Sequence, residues 1–202
     1  HETPGDTFWD KIKAGAQQAA KDTGITLKYS NDPDAGKQAV LIQNAVDSKV
    51  SGIASTLVTP NALAGAVKAA TDAKIPVVGF NSGIDQYKQL GALMYFGSDE
   101  RLAGQSAGAR IAGSGGGKAI CVVHEAGNTS LETRCAGVAE SFPNTENLQV
   151  NGSDLPSVQQ TIGAKLQEDP SITHVGTLDA GIATAAVQAQ QGAGTDAGIA
   201  TF

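Results

Sequence analysis

Apolar residues follow two spacings along this chain. After Asp6-Thr7, Phe8 and later apolar residues recur at helical spacing until Gly24 ends the pattern. The same spacing predicts helices at 35–50, 59–73, 99–113, 130–142, 157–169 and 181–191. Residues 25–30 alternate as a strand does, and short apolar stretches between the helices predict further strands at 52–56, 75–80, 93–98, 118–125, 148–150, 173–178 and 197–202. Alternating helices and continuously apolar strands are typical of parallel sheets covered on both faces, an α/β fold.

The alternation divides into two parts near residues 95–99, with about three βα units on each side. We therefore expect an N-terminal α/β lobe at 1–96 and a C-terminal α/β lobe at 97–202, each of a common domain size. The first helix has no strand before it, and the last strand has no helix after it. In right-handed βαβ units a strand should lead into that helix. We therefore expect either that both lobes are incomplete at these ends or that the missing strand comes from elsewhere.

The composition and charge of the chain limit the kinds of partner that we expect it to bind. The chain is 41% hydrophobic and 17% charged, which indicates a folded protein, and its net charge is −6 without a Lys/Arg cluster. We therefore do not expect nucleic acid or an anionic membrane surface as a partner. No apolar run approaches the ~20 residues of a membrane span. The sequence does not begin with Met and shows no signal peptide, so we expect a processed N-terminus.

The two cysteines, Cys121 and Cys135, do not have the C-x-x-C spacing of a metal site. They are either buried free thiols or one disulfide formed in an oxidising compartment. A strand carries one and the following helix carries the other. Adjacent elements of this kind can bring the two Cα atoms within the ~4.4–6.8 Å that a bridge needs.

Catalytic motifs are missing from the sequence. Residues 113–118, GSGGGK, lack the phosphate-loop pattern and precede a strand instead of opening a helix. There is no dinucleotide fingerprint and no G-x-S-x-G nucleophile elbow. His124 and Glu125 are the one candidate catalytic pair, and the three histidines have no metal-ligand spacing. We therefore predict a protein that is not an enzyme and that uses no metal or cofactor.

Ligands of open parallel sheets bind beyond the carboxyl ends of the strands. Here that rule selects loops rich in Asp, Asn, Thr and Gly with a few aromatics, at 1–9, 56–59, 81–83, 98–99, 125–129 and 178–181. Amide and carboxylate groups bind paired hydroxyls, and aromatic faces cover the apolar side of a sugar ring. The mixture favours a polyhydroxylated ligand.

Each position also has a purely structural explanation. Asp6, Ser98 and Thr129 are possible helix caps, and Asn81 is a possible turn residue. For Arg134 the alternatives are an ion pair with Glu132 or another neighbour, or a five-donor group directed at ligand hydroxyls. Neighbouring helical residues point ~100° apart, so Phe8 and Trp9 cannot both face the core. This favours ligand stacking by the pair.

Four segments resemble the periplasmic sugar-binding proteins of ABC transporters, of the ribose/galactose-binding type. They are TPGDTFWDKIKAGAQQAAKDTGITLKY at 3–29, AVDSKVSGIASTLVTPNALAGAVKAATDAKIPVVGFNS at 45–82, YFGSDERLAGQSAGARIA at 95–112 and HEAGNTSLETRCAGVAESF at 124–142. The resemblance implies the type I periplasmic binding protein fold, two Rossmann-like doubly wound domains joined by a hinge. It also implies a monomer in the periplasm, or outside the cell on a lipid anchor, made with a signal peptide.

The implied function is capture of a simple sugar or polyol in an interdomain cleft and delivery to an ABC transporter permease. By position in the family, Asp6 would bind hydroxyls while Phe8 and Trp9 stack on the sugar. Asn81 stands where the family usually has an aspartate. Arg134 matches the sugar-binding arginine. Further contacts are implied for Asn128 in the same loop, Asp179 from the second domain and, as a weaker match, Thr56.

One alternative function shares this fold: the sugar-sensing effector domain of a transcriptional regulator. Such a regulator carries a helix-turn-helix before the effector domain. Nothing basic or helical precedes His1 in this sequence, so transport is the preferred interpretation.

Overall fold

The computed structural model describes His1 and residues 7–202. Within them the chain forms two compact units, His1–Gly97 and Ser98–Phe202. Each unit has its own parallel sheet and its own apolar core.

The first unit contains a three-stranded sheet in the order β1-β2-β3. All its pairings are parallel, with Ile53 opposite Val77 and Gly79 opposite Tyr95. Its elements are α1 Thr7–Thr23, α2 Ala35–Asp47, β1 Ile53–Ser55, α3 Pro60–Asp72, β2 Val77–Phe80, α4 Tyr87–Leu90 and β3 Tyr95–Phe96. Leu57, Leu63 and Val77 are fully buried and join the sheet to α3.

The second unit contains a four-stranded sheet in the order β5-β4-β6-β7, again entirely parallel. The first strand in sequence lies inside the sheet, and later strands are added on both sides of it, which is the doubly wound arrangement. Its elements are α5 Glu100–Gly113, β4 Lys118–Val123, α6 Thr129–Ser141, β5 Thr145–Gln149, α7 Leu155–Glu168, β6 Ile172–Thr177, α8 Ala180–Ala193 and β7 Gly198–Thr201.

Strand β4 shows why this sheet is apolar on both faces. Ile120 and Val122 pack with α7 and α8, while Ala119, Cys121 and Val123 pack with α5 and α6. Successive strand residues point to opposite faces, so a strand between two helical layers needs apolar side chains at every position. The predicted parallel sheet with helices on both faces is therefore confirmed in this unit.

Helices α5 and α6 cross at very short range because both carry glycine at the contact. A Cβ atom built on Gly104 would collide with the Arg134 carbonyl oxygen, and one on Gly137 would collide with that of Arg101. Gly108 meets Val138 in the same way. The crossing brings the first turn of α5 beside the middle of α6.

A disulfide links Cys121 of β4 to Cys135 of α6, with 5.7 Å between their Cα atoms. Both cysteines are buried, at 1% and 0% exposure. The bond attaches the helix that carries Arg134 to the centre of the sheet.

The predicted strand at 25–30 is not formed. Ile25 and Leu27 are exposed, at 63% and 37%, and no strand of the described residues pairs with this segment. Alternating residues make a strand only where a neighbouring strand supplies the hydrogen-bond ladder. Strands β1, β2, β3, β4 and β7 are shorter than predicted, and β6 keeps the predicted length but begins one residue earlier. Strand β5 begins earlier, at Thr145, and α4 was not predicted.

Two predicted helix caps are displaced by one residue. Asp99, not Ser98, caps α5 by accepting a hydrogen bond from the Leu102 amide, and Asn128, not Thr129, caps α6. Thr59, the first residue of the helix predicted at 59–73, instead directly precedes α3, and its side chain makes no cap hydrogen bond. Adjacent polar residues compete for a cap, and the backbone geometry decides between them.

Among the described residues, no helix combines the length and the apolar character that a membrane crossing requires. Nor do three or more metal-ligating side chains come together anywhere in that part of the chain.

Candidate functional site

In the first unit, Thr56 and Asn81 lie at the same edge of the sheet. Thr56 directly follows β1 and Asn81 directly follows β2, and the two strands are parallel. The carboxyl ends of parallel strands meet at one edge, where ligands of such sheets bind.

Thr56 is held in a buried polar cluster. Gln38 Nε2 donates to the Thr56 carbonyl oxygen and to Thr56 Oγ1, both at 2.9 Å, and lies 3.2 Å from Ser55 Oγ. His1 Nδ1 lies 3.0 Å from Thr56 Oγ1. Thr56 is 2% exposed, so its hydroxyl presents little surface of its own.

Asn81 has a left-handed backbone, with φ of 61°, a conformation that asparagine tolerates better than most residues. Its carbonyl oxygen accepts a hydrogen bond from the Tyr95 hydroxyl at 2.7 Å, and its Oδ1 accepts one from Ser82 Oγ at 2.9 Å. The turn explanation therefore accounts for the residue type. The amide Nδ2 donates to no other described residue and is available to a ligand.

Of the two aromatic residues at the start of α1, one is exposed and the other is buried, as their adjacent positions in a helix require. Phe8 is 42% exposed, whereas Trp9 is 4% exposed and packs edge-on against His1 with 4.9 Å between ring centroids. The rings of Phe8 and Trp9 also meet edge to face, at 5.1 Å. Phe8 is therefore the ring with an accessible surface. Asp6 lies outside the described residues.

In the second unit, Asn128 and Asp179 are both helix caps. Asn128 is 5% exposed; its Oδ1 accepts from the amides of Ser130 and Leu131, and its Nδ2 donates to Glu125 Oε2 at 2.6 Å. Asp179 Oδ1 accepts from the Gly181 and Ile182 amides. The Asn128 side chain is thus engaged by its cap and by Glu125. In contrast, the second carboxylate oxygen of Asp179, half-buried at the end of β6, bonds to no described residue.

Arg134 projects from α6 into an ion pair with Glu100, a residue for which the sequence predicted no role in a site. Its Nε and Nη2 both donate to Glu100 Oε2, and Nη1 donates to the Phe202 main-chain oxygen at 2.6 Å. The partner is Glu100 of α5 rather than Glu132. The Arg134 side chain is 19% exposed and the Glu100 side chain 6%.

Burial raises the pKa of Glu100 above its usual value, because a charged carboxylate loses its hydration there. The guanidinium of Arg134 opposes this rise, both through its charge and through its hydrogen bond. The pair places a half-buried guanidinium at the carboxyl edge of this sheet, beside the end of β7, and two of its N–H groups have no partner among the described residues.

The sequence does not predict a role in the site for Gln38 or Glu100, because their neighbouring residues form no motif that would indicate one. Gln38 follows its cap residue Asp34 by one turn, and Glu100 occupies the acidic first turn of α5, where a carboxylate is expected for helix stability alone. Their partners lie 18 and 34 residues away, so only the tertiary structure connects them.

Each unit thus has amide, hydroxyl, carboxylate or guanidinium groups at the carboxyl edge of a parallel sheet, which is where ligands of open α/β sheets bind. Residues 2–202 match the family described as periplasmic binding protein domain. No curated protein sequence matches the chain.

Three solved structures illustrate the relationship. A carbohydrate transporter from Acidothermus cellulolyticus 11B, solved in complex with myo-inositol, is 56% identical, with a TM-score of 0.98 over 100% of this chain and 71% of that one. A periplasmic sugar-binding protein of an ABC sugar transporter from Legionella pneumophila is 24% identical, with a TM-score of 0.84 over 91% and 70% of the two chains. A glucose-galactose binding protein from Geobacillus stearothermophilus is 18% identical, with a TM-score of 0.87 over 100% and 75%.

The last two share the fold. The family match and the 56% identity to the Acidothermus cellulolyticus protein show that this chain belongs to the periplasmic binding protein family. Members of this family are non-enzymatic components of transport. The fold and family expected from the resemblance are therefore confirmed.

Proposed function

We propose that this protein captures myo-inositol, or a closely related polyol or simple sugar, and delivers it to the permease of an ABC transporter. The observation that carries the proposal is the 56% identity, over the whole chain, to a carbohydrate transporter solved with myo-inositol. The proposal places the protein in the periplasm, or outside the cell on a lipid anchor. The sugar-sensing regulator is not favoured, because the similar proteins named above are binding or transport proteins.

The chemistry of the sheet edges suits such a ligand. An inositol carries a hydroxyl on every ring carbon and has apolar C–H faces, so it needs donors, acceptors and an aromatic surface together. The Asn81 amide and the exposed Phe8 ring supply these in the first unit, and Arg134 and the Asp179 carboxylate supply them in the second. These four side chains have polar atoms or ring surface that other described residues do not fully occupy.

The remaining predicted contacts have smaller or supporting roles in this proposal. Trp9 and Thr56 are buried, and we assign them to packing behind Phe8 and to the polar cluster at the end of β1. Asn128 holds the start of α6, the helix of Arg134. Asp6 remains a proposed hydroxyl-binding residue on the grounds of the family resemblance.

A ligand screen on the full-length protein tests the proposal. Thermal shift with myo-inositol, other inositols, allose, galactose, glucose and ribose should show the largest rise in melting temperature with an inositol, because a ligand that binds only the folded state stabilises it. Calorimetry should then give a one-to-one complex. Cyclohexanol, which has the ring without the array of hydroxyls, is the matched control and should give no shift. Absence of any shift with all polyols and sugars would contradict the proposal.

A further inference from the structure

We infer that Glu100 is a positioning residue, whose carboxylate holds the Arg134 guanidinium in the orientation that binds ligand hydroxyls. The inference rests on the proposed function, since it assigns Glu100 a role in the same site. Glu100 itself needs no contact with the ligand.

The contacts leave Arg134 with a defined set of free donors. A guanidinium has five N–H bonds. Two of them, on Nε and Nη2, point to Glu100 Oε2, and one on Nη1 points to the Phe202 main-chain oxygen. One N–H on Nη1 and one on Nη2 remain without a partner among the described residues. Two donors on a planar group can bind two neighbouring hydroxyls of a polyol, provided that the plane is held in one orientation.

Stability alone does not account for this pair. A buried ion pair gives little net stabilisation over apolar residues of similar volume, because both charges lose hydration. The Glu100 side chain is only 6% exposed, and burial acts against its charged form. A methionine or leucine there would fill a similar volume, but it would leave the Arg134 guanidinium without the partner that orients it.

The backbone around the pair is fixed independently of it. The glycine contacts at the α5–α6 crossing set the spacing of the two helices, and the disulfide at Cys135 holds the residue next to Arg134 against β4. These contacts fix the main chain but do not determine the rotamer of the long Arg134 side chain. Removal of Glu100 should therefore change the direction of the guanidinium more than the position of the helix.

The same pair of helices offers a matched control. Arg101 of α5 and Glu140 of α6 form a second ion pair, but this one is exposed, with side-chain exposures of 51% and 43%. Glu140→Gln makes the same chemical change as Glu100→Gln between the same two helices and does not involve Arg134.

Calorimetry with myo-inositol, or with the polyol that binds the wild-type protein best, tests the inference on the full-length protein. Glu100→Gln should weaken binding about tenfold, the scale of losing one well-directed charge-assisted hydrogen bond. Glu140→Gln should change affinity less than twofold. Glu100→Asp, which keeps the charge on a shorter side chain, should recover part of the lost affinity, a rescue that a merely structural role would not require. Equal affinity of Glu100→Gln and the wild type would overturn the inference and leave the proposed function intact.

A spectroscopic measurement covers the case in which Glu100→Gln does not fold. In wild-type protein, the Arg134 Nε–Hε resonance should be shifted downfield and protected from exchange with water, both without ligand and with it. Loss of this signature when myo-inositol binds would show that Arg134 leaves Glu100 to reach the ligand, which would overturn the inference. If the wild type binds no polyol or sugar at all, the proposed function fails first and this inference fails with it.

Discussion

Gln38 joins the first turn of α2 to the residue that follows β1: its Nε2 donates to the carbonyl oxygen and to Oγ1 of Thr56, both at 2.9 Å. Gln38 is 5% exposed, and its Oε1 has no partner among the described residues. The Nε2 group of Gln38 thus stabilises the main chain at Thr56, whereas burial of Oε1 costs hydration that no hydrogen bond from a described residue replaces.

We expect Gln38→Leu to lower the free energy of unfolding by about 1–3 kcal/mol, because the buried Thr56 carbonyl loses a hydrogen-bond donor. Urea unfolding of the two proteins measures the difference. Gln43→Leu is the control: Gln43 lies in the same helix, and its amide bonds only to the exposed Asp47. Its effect should stay within about 0.5 kcal/mol. A neutral Gln38→Leu would show that the amide contributes nothing to this loop.

The close crossing of α5 and α6 predicts that Gly104→Ala is destabilising despite the better helix propensity of alanine. The new methyl group would collide with the main-chain oxygen of Arg134, and a backbone atom cannot move aside cheaply. We expect a loss of about 1–3 kcal/mol in unfolding free energy.

Gly65→Ala is the matched control, since Gly65 lies inside α3 with nothing within 4 Å of an added Cβ. It should stabilise the protein by up to about 1 kcal/mol. Equal effects of the two changes in thermal unfolding would contradict the crossing as described.

Local sequence patterns predict a structural property when the residues of one element alone determine it. The continuous apolar run Ala119–Val123 predicts a strand buried on both faces, and the core confirms it, because one strand's own residues determine that property. Residues 25–30 do not form a strand, because a strand needs a neighbouring strand to pair with. The alternation of residues within a segment does not show whether such a neighbour exists. The edge positions of Thr56 and Asn81 could be predicted from the parallel rule. The Glu100–Arg134 pair could not, because the helix crossing brings together residues 34 positions apart.

The exposed Phe8 ring predicts a change in affinity without a change in stability. Phe8→Ala should weaken polyol binding by about 1 kcal/mol, or about fivefold, if the ring covers an apolar face of the ligand. Its 42% exposure indicates a small effect on the melting temperature. Phe96→Ala is the control, because Phe96 is 57% exposed in the same unit and was not predicted to bind ligand. Titration calorimetry and thermal unfolding separate the two quantities, and equal losses of affinity for both variants would count against a stacking role.

The disulfide predicts a dependence of stability on redox conditions. The two cysteines are 14 positions apart, and closing a loop of about 15 residues stabilises a protein by roughly 3 kcal/mol in the chain-entropy description. A double variant, Cys121→Ala with Cys135→Ala, should lose about 2–4 kcal/mol in urea unfolding. Reductant should lower the melting temperature of the wild type and leave that of the double variant unchanged. Mass spectrometry with and without reductant checks the bond itself; a wild type that alkylates without reductant would refute it.

A charged network at the opposite edge of the second sheet predicts how stability depends on pH. Lys118 at the start of β4 contacts Glu146 at 2.6 Å and Asp169 at 2.9 Å. Hydrogen bonds from Ser171 and then Lys118 lower the pKa of Asp169 from 3.8 to about 2. Hydrogen bonds to Glu146 and then Asp169 raise the pKa of Lys118 from 10.5 to about 12.

The two shifts act at opposite ends of the pH range. A lowered carboxylate pKa stabilises the folded state above pH 3.8, and that contribution is lost as the pH falls through about 2. A raised lysine pKa stabilises it below pH 10.5, and that contribution is lost as the pH rises through about 12. Asp169→Asn should therefore flatten the acid end of the curve of unfolding free energy against pH, since the titrating group is gone. Because the network is partly exposed to solvent, salt should weaken it in the wild type and have less effect in the variant. Superimposable acid limbs for the two proteins would show that Asp169 is not the group responsible.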